Sequence, residues 1–185
     1  MLVTIIRLYD DRTQATNVVA ELRKAGIPEH DISVIINDDR VSGAAKGAEL
    51  GAVLGGLAGL AAGLGLLAFP GIGPVMATGW LAATAAGAAA GAMAGGALGL
   101  LTKAGVSGED AHAIAECLRR GATLVAARVP EAEKKRCEAI LDRGAIDLRA
   151  RIAVYRRAGW TSFDPNGAPY TAEEIRRERE LHGGS

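Results

Sequence analysis

An α+β fold is expected of this chain: ferredoxin-like, with two βαβ halves, a four-stranded sheet and a glycine-rich helical hairpin inserted between the halves. Three features carry that expectation. Octets rich in β-branched and apolar residues alternate with amphipathic stretches of helical period at both ends of the chain. Glycine recurs every fourth residue at Gly43, Gly47, Gly51, Gly55, Gly59 and Gly63, and again at Gly79, Gly87, Gly91, Gly95 and Gly99, with Ala83 at the missing step. Between Leu50 and Thr102 there is no Asp, Glu, Lys, Arg or His. The chain divides accordingly into a first βαβ half (1–42), a glycine-zipper hairpin with its turn at 69–74 (43–103), a helix plus second βαβ half (104–157) and a tail (158–185).

In the first half, LVTIIRLY at 2–9 reads as a strand, and Asp10 or Asp11 caps a helix over 12–25 with Val18, Val19 and Leu22 on its apolar stripe. Gly26 and Pro28 stop that helix in the usual order. ISVIIN at 32–37 is the second strand, followed by a polar linker.

The uncharged segment is expected to form two helical arms, 50–69 and 75–102, broken at FPGIGP by Pro70 and Pro74. In the first arm Leu50, Val53, Leu54, Leu57, Leu60, Leu64 and Leu67 fall on one side, opposite the glycines. A glycine costs a helix interior about 1 kcal/mol relative to alanine, so a repeat of glycines implies close backbone approach of another helix. The first arm's nine Leu, Val and Phe residues would contribute about −3 to −5 kcal/mol on insertion into a bilayer. Between Ala82 and Ala97 the second arm offers only Met93 as a large side chain and suits burial between helices. Trp80 near the turn is either an interface anchor or a gap filler.

Beyond Lys103, Ser107 and Asp110 resemble a capping box for a helix with Ala111, Ile114, Ala115 and Leu118 inward, ending at Gly121. A strand at 122–129, a helix at 130–143 with Ala132, Ile140 and Leu141 inward, and a last strand at 146–155 complete the second half. That strand would turn Leu148, Ala150, Ile152 and Val154 to one side and Arg149 and Arg151 to the other. In the tail, Thr171 and Glu174 form a capping box for a helix near 172–181, supported by Glu173–Arg177 and Arg176–Glu180 pairs. Trp160, Phe163 and Tyr170 concentrate aromatic surface just before it and are expected to dock on this subunit's sheet or on a neighbour.

The totals bear on function. With 21 basic and 21 acidic residues the formal charge is zero, and only 4% of residues are aromatic, so neither a nucleic-acid footprint nor a stacking platform is present. No secretory leader is read at the N-terminus, which places the polar parts in the cytoplasm as an expectation. His30, His112 and His182 are far apart in sequence, and Cys117 and Cys137 lie in helical patterns without a metal-binding spacing. GIG at 71–73 lacks the strand–loop–helix context of a phosphate loop. Neither a catalytic constellation nor a cofactor or metal site is expected. Arg149, Arg151, Arg156 and Arg157 form either an anion or headgroup patch or a solvated face.

The stretch IIRLYDDRTQATNVVAELRKAGIPEHDISVI, the glycine-zipper segment and EDAHAIAECLRRGATLVAARV together resemble the bacterial general stress proteins of the heat-induced YflT-like type. The resemblance covers roughly residues 3–155 and implies a role in stress response, with no reaction or active site to carry over. The expected function is therefore that of a non-enzymatic stress-response protein that self-assembles as a homo-oligomer and associates with membrane lipid through the hairpin. Its place would be the cytoplasmic face of the bacterial inner membrane, hairpin inserted and both termini cytoplasmic. The alternative is a soluble cytoplasmic oligomer acting as a regulatory or ligand-binding module, its ligand unknown.

Overall fold

The computed structural model describes residues 1–37, 65–89 and 96–182. They form an α+β domain built on one antiparallel sheet of five strands: β1 (Leu2–Tyr9), β2 (Ile32–Ile36), β3 (Gly65–Phe69), β4 (Gly73–Thr78) and β5 (Thr123–Pro130), in the order β1-β5-β2-β4-β3. Strand β5 lies between β1 and β2 and is antiparallel to both, so β1 and β2 point the same way with helix α1 (Arg12–Lys24) crossing between them.

The period-2 alternation of these strands feeds two cores. On one face Ile5, Tyr9, Val34, Ile36, Val125 and Val129 pack against α1 and against α5 (Lys134–Leu141). On the other, Leu8, Ile35, Val75, Leu124 and Ala126 meet α2 (Gly79–Ala89), α3 (Gly96–Lys103), α4 (Gly108–Arg119) and α6 (Leu148–Arg157). A last helix, α7 (Ala172–His182), lies in the tail. Three layers result, with the sheet buried on both faces.

Local signals set the first half. Asp11 caps α1 by accepting from the Thr13 N–H, and the helix ends at Gly26, whose φ is +91°. The Ile27 N–H returns to the Leu22 carbonyl across that glycine, the Schellman closure. The same closure recurs at Gly121, where Ala122 donates to Cys117.

Two expectations are corrected. FPGIGP is a turn, but it joins two strands of the sheet: β3 and β4 pair from Gly65–Ala77 to Phe69–Gly73. The second arm is thus not one helix. It runs as β4, then α2, and resumes as α3. An apolar run with no charges has no period to separate strand from helix. Here the pairing of Val34–Ile36 with Met76–Thr78 decides it. Among the described residues no helix is long and apolar enough to cross a membrane.

The expected last strand at 146–155 is also wrong. It makes one β-like hydrogen bond, from the Ile146 N–H to the Leu8 carbonyl at 2.8 Å, and then turns into α6. Asp147 caps that helix at the Ala150 N–H, and Ile152 and Tyr155 are its buried side. Leu148 and Ile152 satisfy both a two-residue and a four-residue spacing, so alternation alone misassigned the segment. Val154, expected inward, is exposed, as is Ala132 on the turn before α5.

Candidate functional site

Of the expected packing positions, Gly43, Gly47, Gly51, Gly55, Gly59, Gly63, Gly91 and Gly95, with Leu50, Leu54, Leu57, Leu60 and Leu64, lie outside the described residues. Those within do not make one stripe. Gly79 opens α2 at a φ of +73°, and a Cβ there would overlap the Ile32 carbonyl, so its close approach is to a strand rather than a helix. Ala83 is exposed, while Leu81, Ala82 and Ala85 form the buried side of α2. Gly87 lies on the same helix, and Gly99 is half-buried on α3. Leu67 is half-buried on β3 against the core.

The tail docks on its own chain. Phe163 is 2% exposed within the core, Trp160 packs against it, and Ile175 of α7 is fully buried. At the hairpin turn, a Cβ on Gly71 would meet the Asp164 carbonyl at 2.6 Å, and one on Gly73 would meet the Pro169 ring at 2.9 Å. The tail therefore lies directly on the β3–β4 turn. Thr171 and Glu174 make the expected reciprocal cap, with Thr171 N–H to Glu174 Oε2 at 2.8 Å and Glu174 N–H to Thr171 Oγ1 at 3.3 Å. Glu173 pairs with Arg177 at 2.6 Å; Arg176 and Glu180 form no ion pair among the described residues.

Between α4, α6 and α7 lies a polar network that sequence reading missed. Glu116, fully buried, accepts from Arg119 at 2.9 Å and from Arg120 at 2.7 Å. Arg120 continues to Glu178 of the tail helix at 2.9 Å and lies over the Tyr155 ring, 4.0 Å from its centroid. Tyr170 receives both guanidinium groups, Arg119 at 5.0 Å and Arg120 at 5.4 Å. Burial opposes the charge on Arg120, but the Glu116 and Glu178 carboxylates outweigh it and hold its pKa above the ordinary value. Beside this network Arg151 of α6 grips Asp10 with two bonds, at 2.9 and 2.6 Å. The one available signal was Glu116 itself, a carboxylate inside the apolar stripe of α4.

This geometry orders the tail rather than activating a nucleophile. Burial pushes the Cys117 thiol up to about 12, and desolvation raises Tyr9 and Tyr155 as well. Native protein at pH 8 is therefore expected to leave Cys117 unlabelled by a maleimide while urea-unfolded protein labels fully; native labelling at Cys117 would contradict the packing. The folded thiol thus titrates above its ordinary value of 9.0. The contribution of this thiol is complete below pH 9 and declines as pH rises to about 12. The four expected basic residues do not form a patch: Arg151 faces Asp10, Arg156 pairs with Glu109 at 2.7 Å, and Arg149 and Arg157 are exposed on α6. Among the described residues no three His, Cys, Asp or Glu side chains gather as a metal site. Comparison with family models, with curated proteins and with solved structures finds no match to this chain.

Proposed function

We propose that the chain is a non-enzymatic stress-response protein that works by self-association through the β3 edge of the sheet and the glycine-rich segment that precedes it in sequence. The supporting observation is the character of that edge. β3, GLLAF, ends the sheet, pairs only with β4 among the described residues and carries neither a charge nor a proline. Edge strands are ordinarily guarded by charge, proline or a bulge. This one follows directly in sequence on the glycine repeat that ends at Gly63, which is free of charge from Leu50 onward. An apolar edge and a stripe without side chains both favour close approach of a second copy. The strand order β1-β5-β2 with α1 crossing between β1 and β2 supports the ferredoxin-like reading of that part, and the segment expected as its fourth strand is α6. Membrane contact, on this reading, falls to residues 43–64, since 65–89 and 96–103 belong to the folded domain.

Gly55→Leu with Gly59→Leu is expected to shift the particle from oligomer to monomer in mass photometry, with the circular dichroism of the domain retained. An oligomer unchanged in mass would refute the assembly role. Flotation with anionic vesicles tests the lipid contact separately: wild-type protein should float, and so should the double variant, because leucine favours insertion; failure of the wild type to float would refute the lipid contact.

A further inference from the structure

The docked tail carries a chemically distinct dipeptide. Of the three asparagines in the chain, Asn17, Asn37 and Asn166, only Asn166 precedes a glycine. Asn17 is exposed on α1 but is followed by the branched Val18, and Asn37 is buried and donates to the Leu118 carbonyl at 2.8 Å. An asparagine side chain is open to attack by the amide nitrogen of the next residue, and a branched side chain beside that nitrogen obstructs it. Gly167 offers no such obstruction. Asn166 is exposed, and its side-chain amide makes no hydrogen bond among the described residues.

The seat of the turn restrains this reaction. Asp164, Pro165, Asn166 and Gly167 have the composition of a type I turn, with Asp first, Pro second and Gly fourth. Its closing bond runs from the Gly167 N–H to the Asp164 carbonyl at 3.1 Å, and the Asn166 N–H donates to Asp164 Oδ1 at 2.8 Å. The nitrogen that would attack is thus already committed as a donor. The turn is also held from outside. A Cβ on Gly71 of the β3–β4 turn would lie 3.0 Å from Pro165 Cα, and one on Gly167 would lie 3.1 Å from Arg119 Nη1. Attack requires the Gly167 nitrogen to lose its proton and swing toward Asn166 Cγ, which breaks the closing bond and disturbs both outside contacts.

We propose that Asn166–Gly167 is a self-modification site gated by the tail: the asparagine is preserved while the tail is docked and deamidates when the tail opens. The Gly167 nitrogen gives its proton to hydroxide and bonds to Asn166 Cγ, closing a succinimide ring. The Cγ–Nδ2 bond breaks, and that nitrogen leaves as ammonia with a proton taken from water. Water then opens the ring at either carbonyl. Cleavage of the Cγ–N bond leaves aspartate; cleavage at the Asn166 backbone carbonyl leaves isoaspartate, with Gly167 attached through Cγ. No electron is transferred. Isoaspartate inserts one extra carbon between positions 166 and 167, so the Gly167 N–H no longer closes the same turn on Asp164. An opening of the tail is thereby written into the covalent structure, and Phe163 and Pro169 do not return to their seats.

The test ages the full chain in warm buffer at pH 8, with and without guanidinium chloride. Tryptic peptides Ala158–Arg176 and Thr13–Arg23 are then resolved by chromatography and mass spectrometry. Because the rate follows the open fraction of the tail, Asn166 should be lost at least about tenfold more slowly from native than from unfolded protein. Isoaspartate and aspartate should both appear, and Asn17 should persist. Phe163→Ala, its fold checked by circular dichroism, should deamidate faster than native wild type. After refolding, the isoaspartate form should be cut in the tail several-fold faster than unaged protein carried through the same refolding. Persistence of Asn166 in denaturant would overturn the proposal. So would equal rates in native and unfolded protein, a wild-type rate in folded Phe163→Ala, or an isoaspartate form whose tail resists protease as the unaged protein does.

Discussion

Replacing Gly79 with alanine is expected to lower stability by about 3 kcal/mol or more, the sum of a left-handed backbone imposed on an L-residue and a side chain forced into packed space. Gly79 joins β4 to α2 at φ +73°, and an added Cβ would collide with the Ile32 carbonyl, lie 2.6 Å from Ser33 Oγ and 2.9 Å from Ser33 Cα. None of these is the yielding end of a long side chain. Ser33 is itself fixed: it is fully buried on β2, and its hydroxyl accepts from the Leu81 N–H at 3.1 Å, closing the first turn of α2 from the neighbouring strand. The substitution therefore either breaks that cap or parts β4 from β2. Gly105→Ala is the control, because its φ is +90° but nothing lies within 4 Å of an added Cβ. It should cost only the backbone share, about 1–2 kcal/mol. Urea midpoints for the two variants measure the difference. Equal midpoints would show that the strand–helix junction has room to spare.

Glu116→Ala is expected to cost about 3–5 kcal/mol, the range for removing one partner from a buried ionic group. The carboxylate is wholly shielded and is shared by Arg119 and Arg120, whose side chains are only 16% and 15% exposed. Without it two guanidinium groups remain partly desolvated, and of their ion pairs only Arg120 with Glu178 is left. The Arg120 stack on Tyr155 then holds a charge in poorer surroundings. Glu116→Gln keeps the shape and one acceptor and should fall between. In the Glu116→Ala/Arg120→Ala double variant part of the loss should return, because an unpaired charge leaves with its partner. The change is read in the urea midpoint and in faster proteolysis of the tail beyond Gly159. A midpoint within experimental scatter of wild type would mean that water already reaches the cluster.

What the sequence made legible, and what it hid, follows from how local each signal is. β1, α1, β2 and β5 were readable because their apolar spacing and their stop signals agree, as at Gly26 and Gly121. The tail helix was readable from Thr171 and Glu174 alone, since a cap is complete within four residues. The β3–β4 hairpin was hidden: an uncharged run of Gly, Ala and Leu fits helix and strand equally, and only the partner strand β2 decides between them. α6 was hidden by a pattern that serves two periods at once. The polar network is the most distant from local reading, because Asp10 and Arg151, or Arg120 and Glu178, meet across 141 and 58 residues. The clustering of Trp160, Phe163 and Tyr170 marks them as docking residues, whereas Ile175, fully buried against Gly121, stands alone among the charges of its helix and gives no such local signal.

The clasp of the tail on the β3–β4 turn also sets an order of events during synthesis. Gly71 and Gly73 lie under Asp164, Phe163 and Pro169, contacts that bridge roughly ninety residues of chain. A nascent polypeptide emerging from the ribosome has its hairpin long before it has the segment that covers it. Until the C-terminal end is released, that apolar corner stands open to other molecules. A chaperone, or a second nascent copy, would meet it first there.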